Sequence, residues 1–286
     1  MNIFKSVDSI RSSCLACRQN GRTIALVPTM GYLHSGHLSL IEMARKVADI
    51  VIVSIYVNPA QFGPGEDLSR YPRDPERDIE LCRNSAVDMV FMPDDAEIYL
   101  SGHSVFVNED VMSKVLCGRT RPVHFKGVLT IVAKLFNIIQ PDFAVFGQKD
   151  AQQARLIQKM VADLNIPVSI ILAPIVRDVD GLALSSRNVY LSAEERERAL
   201  AIHRALFSAL ALYRSGERDT GKLKNHVLNI IEHSQPNLID YIEILDNERF
   251  VDVKTITSTA LLAVAVKYGK TRLIDNIRLS PAEGME

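Results

Sequence analysis

Residues 24–57 read IALVPTMGYLHSGHLSLIEMARKVADIVIVSIYV, in which strand-like and helix-like segments alternate. The apolar run 24–28 predicts a short buried strand, and apolar residues at helical spacing over 36–48 predict a helix. The run 49–57 is rich in Val and Ile, which is typical of a strand that is covered on both faces. Residues 22–57 therefore predict one strand–helix–strand unit, whose parallel strands are joined by a right-handed crossover.

The same alternation continues to residue 175. It predicts three helices and three short strands, which are, in chain order, helix 75–85, strand 88–92, helix 127–139, strand 142–146, helix 150–164 and strand 168–175. A chain that alternates in this way forms an open parallel sheet with helices on both faces. The expected fold class is α/β, with a Rossmann-like, doubly wound parallel sheet.

The pattern changes after Arg187. Ser192 and Glu195 match a capping box, which starts a helix that is expected to run to about residue 214. The next segments are one helix and three strands, at 219–233, 239–245, 260–266 and 271–277. We expect a larger Rossmann-like domain over residues 1–176 and a smaller C-terminal α+β domain over 177–286.

The composition argues against several classes of protein. The chain has 286 residues, with 33 Lys and Arg against 34 Asp and Glu and a net charge of −1. This balance does not favour broad binding to nucleic acid or to membrane surfaces. The longest apolar runs fall far short of the ~20 residues that a bilayer span requires. The N-terminus lacks the apolar core of a signal peptide, so we expect a cytoplasmic protein.

The four cysteines do not suggest a disulfide scaffold. Cys14 and Cys17 form a single CxxC pair, whereas a structural zinc site uses four ligands and usually a second pair. We therefore expect reduced thiols and no metal held by the protein itself.

The turn between the first predicted strand and helix carries His34 and His37 in an HxGH motif. In open α/β sheets ligands bind at the carboxyl ends of the strands, and a helix N-terminus offers N–H groups to phosphate. Imidazole groups at this place donate hydrogen bonds to phosphate oxygens and offset developing charge. The motif is neither GxxxxGK[ST] nor GxGxxG, so neither a P-loop nor a dinucleotide site is supported. The competing interpretation is a zinc pair, for which no third ligand is obvious.

Two further stretches carry cations that suit phosphate. Residues 180–188 read DGLALSSRN, in which two hydroxyls and the guanidinium of Arg187 form a candidate polyphosphate clamp. Residues 146–150 read FGQKD at a predicted strand end, where Lys149 presents a point charge. Taken alone, the first stretch is also compatible with a serine-rich linker and the second with a solvated lysine in a turn.

A fourth stretch supplies amides. Residues 57–63 read VNPAQFG at the end of the second predicted strand, and the amides of Asn58 and Gln61 suit hydroxyl and carboxylate groups. Gln152 and Gln153 follow Lys149 by about one helical turn. Because strand ends converge on one crevice in a wound sheet, we expect the four stretches to form a single site.

The motifs extend over almost the whole chain. They are VPTMGYLHSGH at 27–37, YVNPAQFGPGEDLSRYPR at 56–73, RPVHFKGVLTIV at 121–132, FGQKDAQQ at 146–153, DGLALSSRN at 180–188, DYIEILD at 240–246 and GKTRLIDNI at 269–277. With these motifs the sequence resembles the pantoate–β-alanine ligase (pantothenate synthetase) family of the HxGH adenylyl-transferring superfamily. The resemblance implies a ligase that forms a C–N amide bond in two half-reactions. Pantoate first attacks the α-phosphorus of Mg·ATP, giving pantoyl adenylate and pyrophosphate, and the amine of β-alanine then gives pantothenate and AMP.

The resemblance also implies a role for each matching position. The groups that stabilise charge on the phosphates are His34, His37, Lys149 and Arg187. The implied ATP contacts are Met30, His34, His37, Gly147, Lys149, Asp150, Val176, Leu184, Ser185, Ser186 and Arg187. The implied substrate contacts are Met30, Asn58, Gln61, Tyr71, Arg121 and Gln153. Mg²⁺ is expected on the ATP phosphates rather than in a protein cage. The resemblance further implies a homodimer and a C-terminal domain that closes as a lid.

The sequence departs from the family pattern at three positions. Cys117 stands where Glu is frequent, Val123 where Gly is frequent, and Gln148 where Glu is common. A thiol at 117 cannot supply the charge of a carboxylate, but none of the three changes removes a phosphate-binding group.

Three alternative functions fit parts of the same pattern. Another HxGH nucleotidyltransferase, acting on a phosphorylated substrate, would need extra Lys or Arg beside Asn58, Gln61 and Gln153. A protein similar to an aminoacyl-tRNA synthetase would need a basic RNA-binding face, which the net charge of −1 does not favour. A non-catalytic nucleotide-binding protein would not need the cations at Lys149 and Arg187.

Overall fold

The described chain, residues 1–281 of a computed structural model, folds as two units. The first unit contains Met1–Lys114, Gly118–Gln148 and Gln152–Val176. The second unit contains the described chain from Arg177 onward, together with two short segments from earlier in the chain, Val115–Cys117 and Lys149–Ala151. Lys149 therefore belongs to the second unit, although it lies within residues 1–176.

A parallel sheet forms the centre of the first unit. Its strands, within the described residues, are β1 (Asn2–Phe4), β2 (Ile24–Thr29), β3 (Ile50–Ile55), β4 (Met89–Phe91), β5 (Phe143–Gly147) and β6 (Ser169–Ala173). They lie in the order β1-β4-β3-β2-β5-β6. Strand β2 pairs with β3 on one side and with β5 on the other, so the winding reverses beside β2. The predicted doubly wound parallel sheet is confirmed, and its switch point lies at the ends of β2 and β5, where such folds bind ligands.

Helices cover the sheet. In chain order they are α1 (Val7–Gln19), α2 (Ser35–Val47), α3 (Pro75–Asn84), α4 (Asp95–Ile98), α5 (Cys117–Thr120), α6 (His124–Ile139) and α7 (Ala151–Asp163). The apolar stripe that predicted α2 is buried: Ile41 and Ala44 pack in one cluster with Val51 and Val53 of β3. The apolar face of α2 and the Val-rich strand β3 therefore pack against each other in one core.

Helix α6 is apolar on nearly all its faces. It was predicted to begin at residue 127 and begins at His124, so that Gly127 lies inside its first turn. It packs against α1 on one side and against the short turn Pro59–Gln61 on another, which explains why twelve of its residues are buried. It ends where Gln140 adopts a left-handed backbone with φ of 52°.

Strand β1 and helix α1 were not predicted. β1 has three residues, none of them fully buried, so it shows no apolar pattern. α1 buries only Ile10 and Cys14, and the oxygen of Ser6 caps it by accepting the N–H of Ser9 at 3.4 Å. Both elements are defined by their tertiary partners rather than by periodicity.

The second unit is an antiparallel sheet covered by two helices. Its elements in the described chain are α8 (Ala193–Arg214), α9 (Thr220–His233), β7 (Leu238–Asp246), β8 (Ala260–Tyr268) and β9 (Thr271–Leu279), with strand order β7-β8-β9. The capping box is confirmed, because the Ser192 hydroxyl accepts the N–H of Glu195 and the Glu195 carboxylate accepts the N–H of Ser192. One buried cluster joins both helices to the sheet, so the smaller α+β fold is confirmed.

Within the described residues, no helix is both long enough and apolar enough to cross a bilayer.

Candidate active site

The loop after β2 is held by a buried carboxylate. Asp78 of α3, which is 1% exposed, accepts the backbone N–H groups of Tyr32 and Leu33, each at 2.7 Å. Burial raises the pKa of Asp78 above its ordinary value, and the two backbone hydrogen bonds oppose that shift. Gly31 adopts φ of +79°, and a Cβ there would lie 2.9 Å from Oδ2 of Asp78. The loop that leads into the HxGH motif is therefore anchored to α3 through the carboxylate of Asp78.

The two histidines of the motif cap helix α2. Nδ1 of His34 accepts the N–H of Gly36 at 3.1 Å, and Nδ1 of His37 accepts the N–H of His34 at 3.2 Å. Their rings lie 4.1 Å apart between centroids. Because a backbone N–H can only donate, both Nδ1 atoms are unprotonated, and in the neutral rings Nε2 carries the proton. The helix N-terminus thus presents two imidazole donors beside its own N–H groups, which suits a phosphate.

The predicted amide pair forms one hydrogen-bonded cluster with the strand end. Nδ2 of Asn58 donates to Oε1 of Gln61 at 3.1 Å, and Nε2 of Gln61 lies 3.0 Å from Sδ of Met30. Asn58 is 1% exposed and Gln61 7%. Tyr99 donates its hydroxyl to Oδ1 of Asn58 at 2.7 Å, which fixes the orientation of that amide. The contact between Gln61 and Met30 joins the amide stretch to the end of β2.

Close packing of α6 holds the amide turn in place. Asn58 donates a further hydrogen bond to the carbonyl of Gly127 at 3.1 Å. A Cβ at Gly127 would lie 2.3 Å from the carbonyl oxygen of Ala60, so only glycine permits this approach. Nδ1 of His124 lies 3.0 Å from the carbonyl oxygen of Gln61. Helix α6 therefore determines where the amides point.

The remaining substrate candidates of the first unit differ in their surroundings. Tyr71 is buried and packs edge-on against Phe62, with ring centroids 6.0 Å apart. Arg121 donates to both carboxylate oxygens of Glu66, at 2.9 and 2.5 Å. Burial opposes ionisation of Glu66, but the arginine outweighs it and holds the pKa of Glu66 below its ordinary value. Arg121 is thus already paired with a carboxylate of its own unit.

The end of β5 leaves room beside the backbone. A Cβ at Gly147 would meet no atom of the described residues within 4 Å. Gln153, in the first turn of α7, is half-buried, and its neighbour Gln152 donates to the carbonyl of Met112 at 2.8 Å. Val176, the last residue of the first unit, is also half-buried.

Lys149 belongs to a short turn of the second unit. Its ammonium lies 3.9 Å from Oδ2 of Asp150, and the two side chains are 19% and 48% exposed. This long, half-solvated pairing leaves most of the lysine charge uncompensated by Asp150. The backbone carbonyl of Lys149 accepts a hydrogen bond from Nδ2 of Asn276 at 2.9 Å.

The serine-rich stretch is more ordered than the predicted loop. A short 3-10 helix, Ser186–Tyr190, begins directly after Ser185, whose hydroxyl oxygen accepts the N–H of Arg187 at 3.3 Å. Ser186 is buried, whereas Leu184, Ser185 and Arg187 are half-buried. The stretch is therefore a capped turn rather than a linker.

Of the candidates of the first unit, the structure brings Met30, Asn58 and Gln61 into contact at the ends of β2 and β3. Lys149, Asp150 and the 184–187 stretch belong to the second unit, and the expectation that all four stretches share one crevice stays a prediction. Sequence reasoning missed Asp78 and Tyr99, which anchor predicted residues. Their only signals in the sequence were an acidic residue in a predicted helix and a tyrosine in a loop.

Comparison with known proteins places the chain in a family. The family described as Pantoate-beta-alanine ligase matches residues 2–278. The chain belongs to the pantoate–β-alanine ligase family. A pantothenate synthetase of this family, from Fervidobacterium nodosum, is 51% identical over 278 residues, which cover 97% of this chain and 99% of the relative.

Solved structures of the same family share the fold. The pantothenate synthetase of Thermus thermophilus superposes with a TM-score of 0.94 at 40% identity, covering 98% of this chain and 100% of that one. The pantoate–β-alanine ligase of Francisella tularensis, complexed with beta-gamma ATP and β-alanine, gives a TM-score of 0.79 at 33% identity, covering 97% of each chain.

Proposed function

We propose that this chain joins pantoate to β-alanine in an ATP-dependent reaction that passes through pantoyl adenylate and releases AMP and pyrophosphate. The observation that carries the proposal is the contact of Gln61 with Met30. In this contact the amide of Gln61 lies beside Met30, which follows β2 and leads into the HxGH motif. Together with Asn58, this amide suits a diol with one carboxylate.

In the first half-reaction a carboxylate oxygen of pantoate attacks the α-phosphorus, and pyrophosphate leaves. The reaction needs no nucleophile from the protein, so catalysis rests on positioning and on stabilising charge. His34 and His37 donate from Nε2 to phosphate oxygens, because their Nδ1 atoms are held by backbone N–H groups. In the second half-reaction the amine of β-alanine attacks the acyl carbon, and AMP leaves with the oxygen that came from pantoate.

The cations of the second unit stabilise the leaving phosphates. Lys149 supplies a point charge, and Ser185, Ser186 and Arg187 hold the terminal phosphates by hydroxyl and guanidinium donors. The nucleoside contacts are assigned to Asp150 and Val176, and Gly147 and Leu184 complete the proposed ATP contacts. Residues 1–176 are assigned to nucleotide and pantoate binding and residues 177–286 to a lid.

The amides recognise pantoate. Asn58 and Gln61 are both buried and mutually hydrogen-bonded, so their orientation is set before substrate binds. Gln153, Met30 and Tyr71 complete the assignment. Arg121 is a further proposed substrate contact. To bind substrate it would have to release the carboxylate of Glu66 or bind both groups at once.

We extend the proposal to Mg²⁺ as a companion of ATP. The ion would be bound chiefly by the substrate phosphates, whose charge it would neutralise. We extend the proposal to a cytoplasmic homodimer, which the family resemblance implies and which sedimentation or light scattering would test.

A product assay tests the proposed function. With ATP, pantoate and β-alanine, we expect AMP, pyrophosphate and pantothenate in equal amounts, with AMP release strictly dependent on pantoate. When the pantoate carboxylate carries ¹⁸O, one labelled oxygen should appear in AMP. Formation of ADP, or AMP without the label, would overturn the proposal.

A further inference from the structure

Strand β9 carries two adjacent buried polar residues, Asp275 and Asn276, each 3% exposed. Consecutive residues of a strand point to opposite faces of the sheet. Asp275 shares its face with Leu273, which packs into the core beneath α8 and α9. Asn276 points to the other face. One short segment of an edge strand therefore offers polar anchors to both sides of the second unit.

On one face Asp275 anchors the root of the serine-rich stretch. Both terminal nitrogens of the Arg177 guanidinium donate to the carboxylate of Asp275, at 2.6 and 2.9 Å. Arg177 also donates to the carbonyl of Gly181 at 3.1 Å and forms an isolated bridge with Ala183. The hairpin-like loop 177–183 is thus closed on the buried carboxylate, two residues before Ser185.

Residues of helix α8 also contact the 177–183 loop and restrict its movement further. Arg196 donates to the carboxylates of Asp178 and Asp180, each at 2.7 Å. Gly181 adopts φ of +94°, and a Cβ there would lie 2.4 Å from the ring of His203.

On the opposite face Asn276 holds the backbone of Lys149. Its Nδ2 donates to the Lys149 carbonyl at 2.9 Å. The backbone N–H of Asn276 donates to Oδ1 of Asp275 at 2.8 Å, so the two anchors are themselves linked. Because this hydrogen bond fixes the backbone carbonyl of Lys149, it also fixes the Cα atom from which the long, flexible lysine side chain extends.

We propose that Asp275 and Asn276 are positioning residues, which hold Lys149 and the Ser185–Arg187 turn in one fixed frame on β9. The inference rests on the proposed function, in which these groups stabilise the ATP phosphates. Neither residue touches substrate. They act by setting the spacing between two phosphate-binding elements that lie far apart in sequence. Since a misplacement of about 1 Å costs on the order of 10²-fold in rate, this spacing affects the adenylation step directly.

The test is Asn276→Asp, which keeps the shape of the side chain and replaces the amide donor by an oxygen facing the Lys149 carbonyl. Asn225→Asp is the matched control, because it makes the same chemical change at an exposed position of α9 in the same unit. Adenylate formation is measured by pyrophosphate release with pantoate and ATP. Aminolysis is measured separately, by allowing adenylate to accumulate on the enzyme with pyrophosphatase present and then adding β-alanine.

We expect Asn276→Asp to slow adenylate formation by about 10²-fold while aminolysis stays within about twofold of the wild-type rate. Asn225→Asp should match the wild type in both. A wild-type rate of adenylation in Asn276→Asp would overturn the proposal. An equal loss in both half-reactions indicates general misfolding, so the milder Asn276→Ser is then measured. If Asn276→Ser also fails to slow adenylation more than aminolysis, the proposal is overturned. If the wild-type chain itself formed no adenylate, the proposed function would fail instead, and the two failures are distinguishable.

Discussion

His37 accepts the backbone N–H of His34 through Nδ1, at 3.2 Å, and this bond determines which nitrogen of His37 can act on a ligand. The protonated nitrogen is Nε2, on the far side of the ring. Capping by Nδ1 and the proposed contact of Nε2 with phosphate therefore belong to two atoms of one side chain, and substitutions can separate them.

His37→Asn and His37→Gln separate the two tasks. The amide oxygen of asparagine can replace the Nδ1 acceptor, so His37→Asn should keep the stability of the fold and lower adenylation by about 10²–10³-fold. The amide of glutamine can replace the Nε2 donor but not the cap, so His37→Gln should keep more activity and cost about 1 kcal/mol in unfolding free energy. Pyrophosphate release and urea unfolding measure the two effects. The opposite ranking would refute the assignment of the nitrogens.

Asp78→Asn tests the anchor of the HxGH loop. The substitution replaces one acceptor oxygen by an NH₂ group that faces a backbone N–H of Tyr32 or Leu33. A buried donor then loses its partner, so we expect a loss of about 1–3 kcal/mol in unfolding free energy and slower adenylation. Asp74→Asn, at the cap of the same helix, is the control and should affect stability without a specific effect on adenylation. Unchanged stability in Asp78→Asn would contradict the proposed anchor.

Two glycine substitutions of the same kind should behave in opposite ways. Gly147→Ala adds a methyl group that meets no described atom within 4 Å, so stability should change by less than about 0.5 kcal/mol while the KM for ATP rises. Gly127→Ala forces a carbon to 2.3 Å from the Ala60 carbonyl oxygen, so it should destabilise the fold by about 1–3 kcal/mol or more. Thermal unfolding and initial rates distinguish them. An unaltered KM for ATP in Gly147→Ala would remove that residue from the nucleotide site.

Gln61→Glu should act on pantoate rather than on ATP. The change keeps one oxygen for Asn58 and replaces the amide donor beside Met30 by a negatively charged oxygen. Repulsion of the pantoate carboxylate should raise the KM for pantoate by more than about tenfold, which corresponds to roughly 1.4 kcal/mol. The KM for ATP should stay near its wild-type value. A selective increase in the KM for ATP would show that the amide pocket holds a different ligand.

His203 gives the second unit a dependence on pH. Burial, and then the charge of Arg177, lower the pKa of His203 below its ordinary value of 6.5. The folded protein therefore binds this proton less readily than the unfolded chain does. The stability that neutral His203 contributes is present above about pH 6.5 and decreases as the pH falls through that value towards the lower folded pKa. The difference in unfolding free energy between the wild type and His203→Gln should shrink from pH 8 to pH 5.5, and a difference independent of pH would contradict this origin.

Much of the fold followed from local pattern. The apolar stripe of α2, the Val-rich β3 and the Ser192–Glu195 capping box each appear in the structure close to where they were predicted. Strand β1 and helix α1 did not follow, because three partly exposed residues and a mostly polar helix carry no distinctive periodicity. Helix α6 begins three residues before its predicted start at residue 127, because the apolar stripe that predicted it does not include His124, which contacts the carbonyl of Gln61.

The candidate site divides in the same way. The sequence by itself determined which chemical groups stand at strand ends: two imidazoles, a pair of amides, a lysine and a serine–arginine turn. Motif and strand periodicity are local properties, and both can be read without knowing the fold. Only the tertiary structure decided how several of those groups are anchored. The anchors are Asp78, Tyr99 and Asn276, whose partners lie 41 to 127 positions away in the sequence. A hydrogen bond across that separation depends on how helices and strands pack, and no local pattern encodes it.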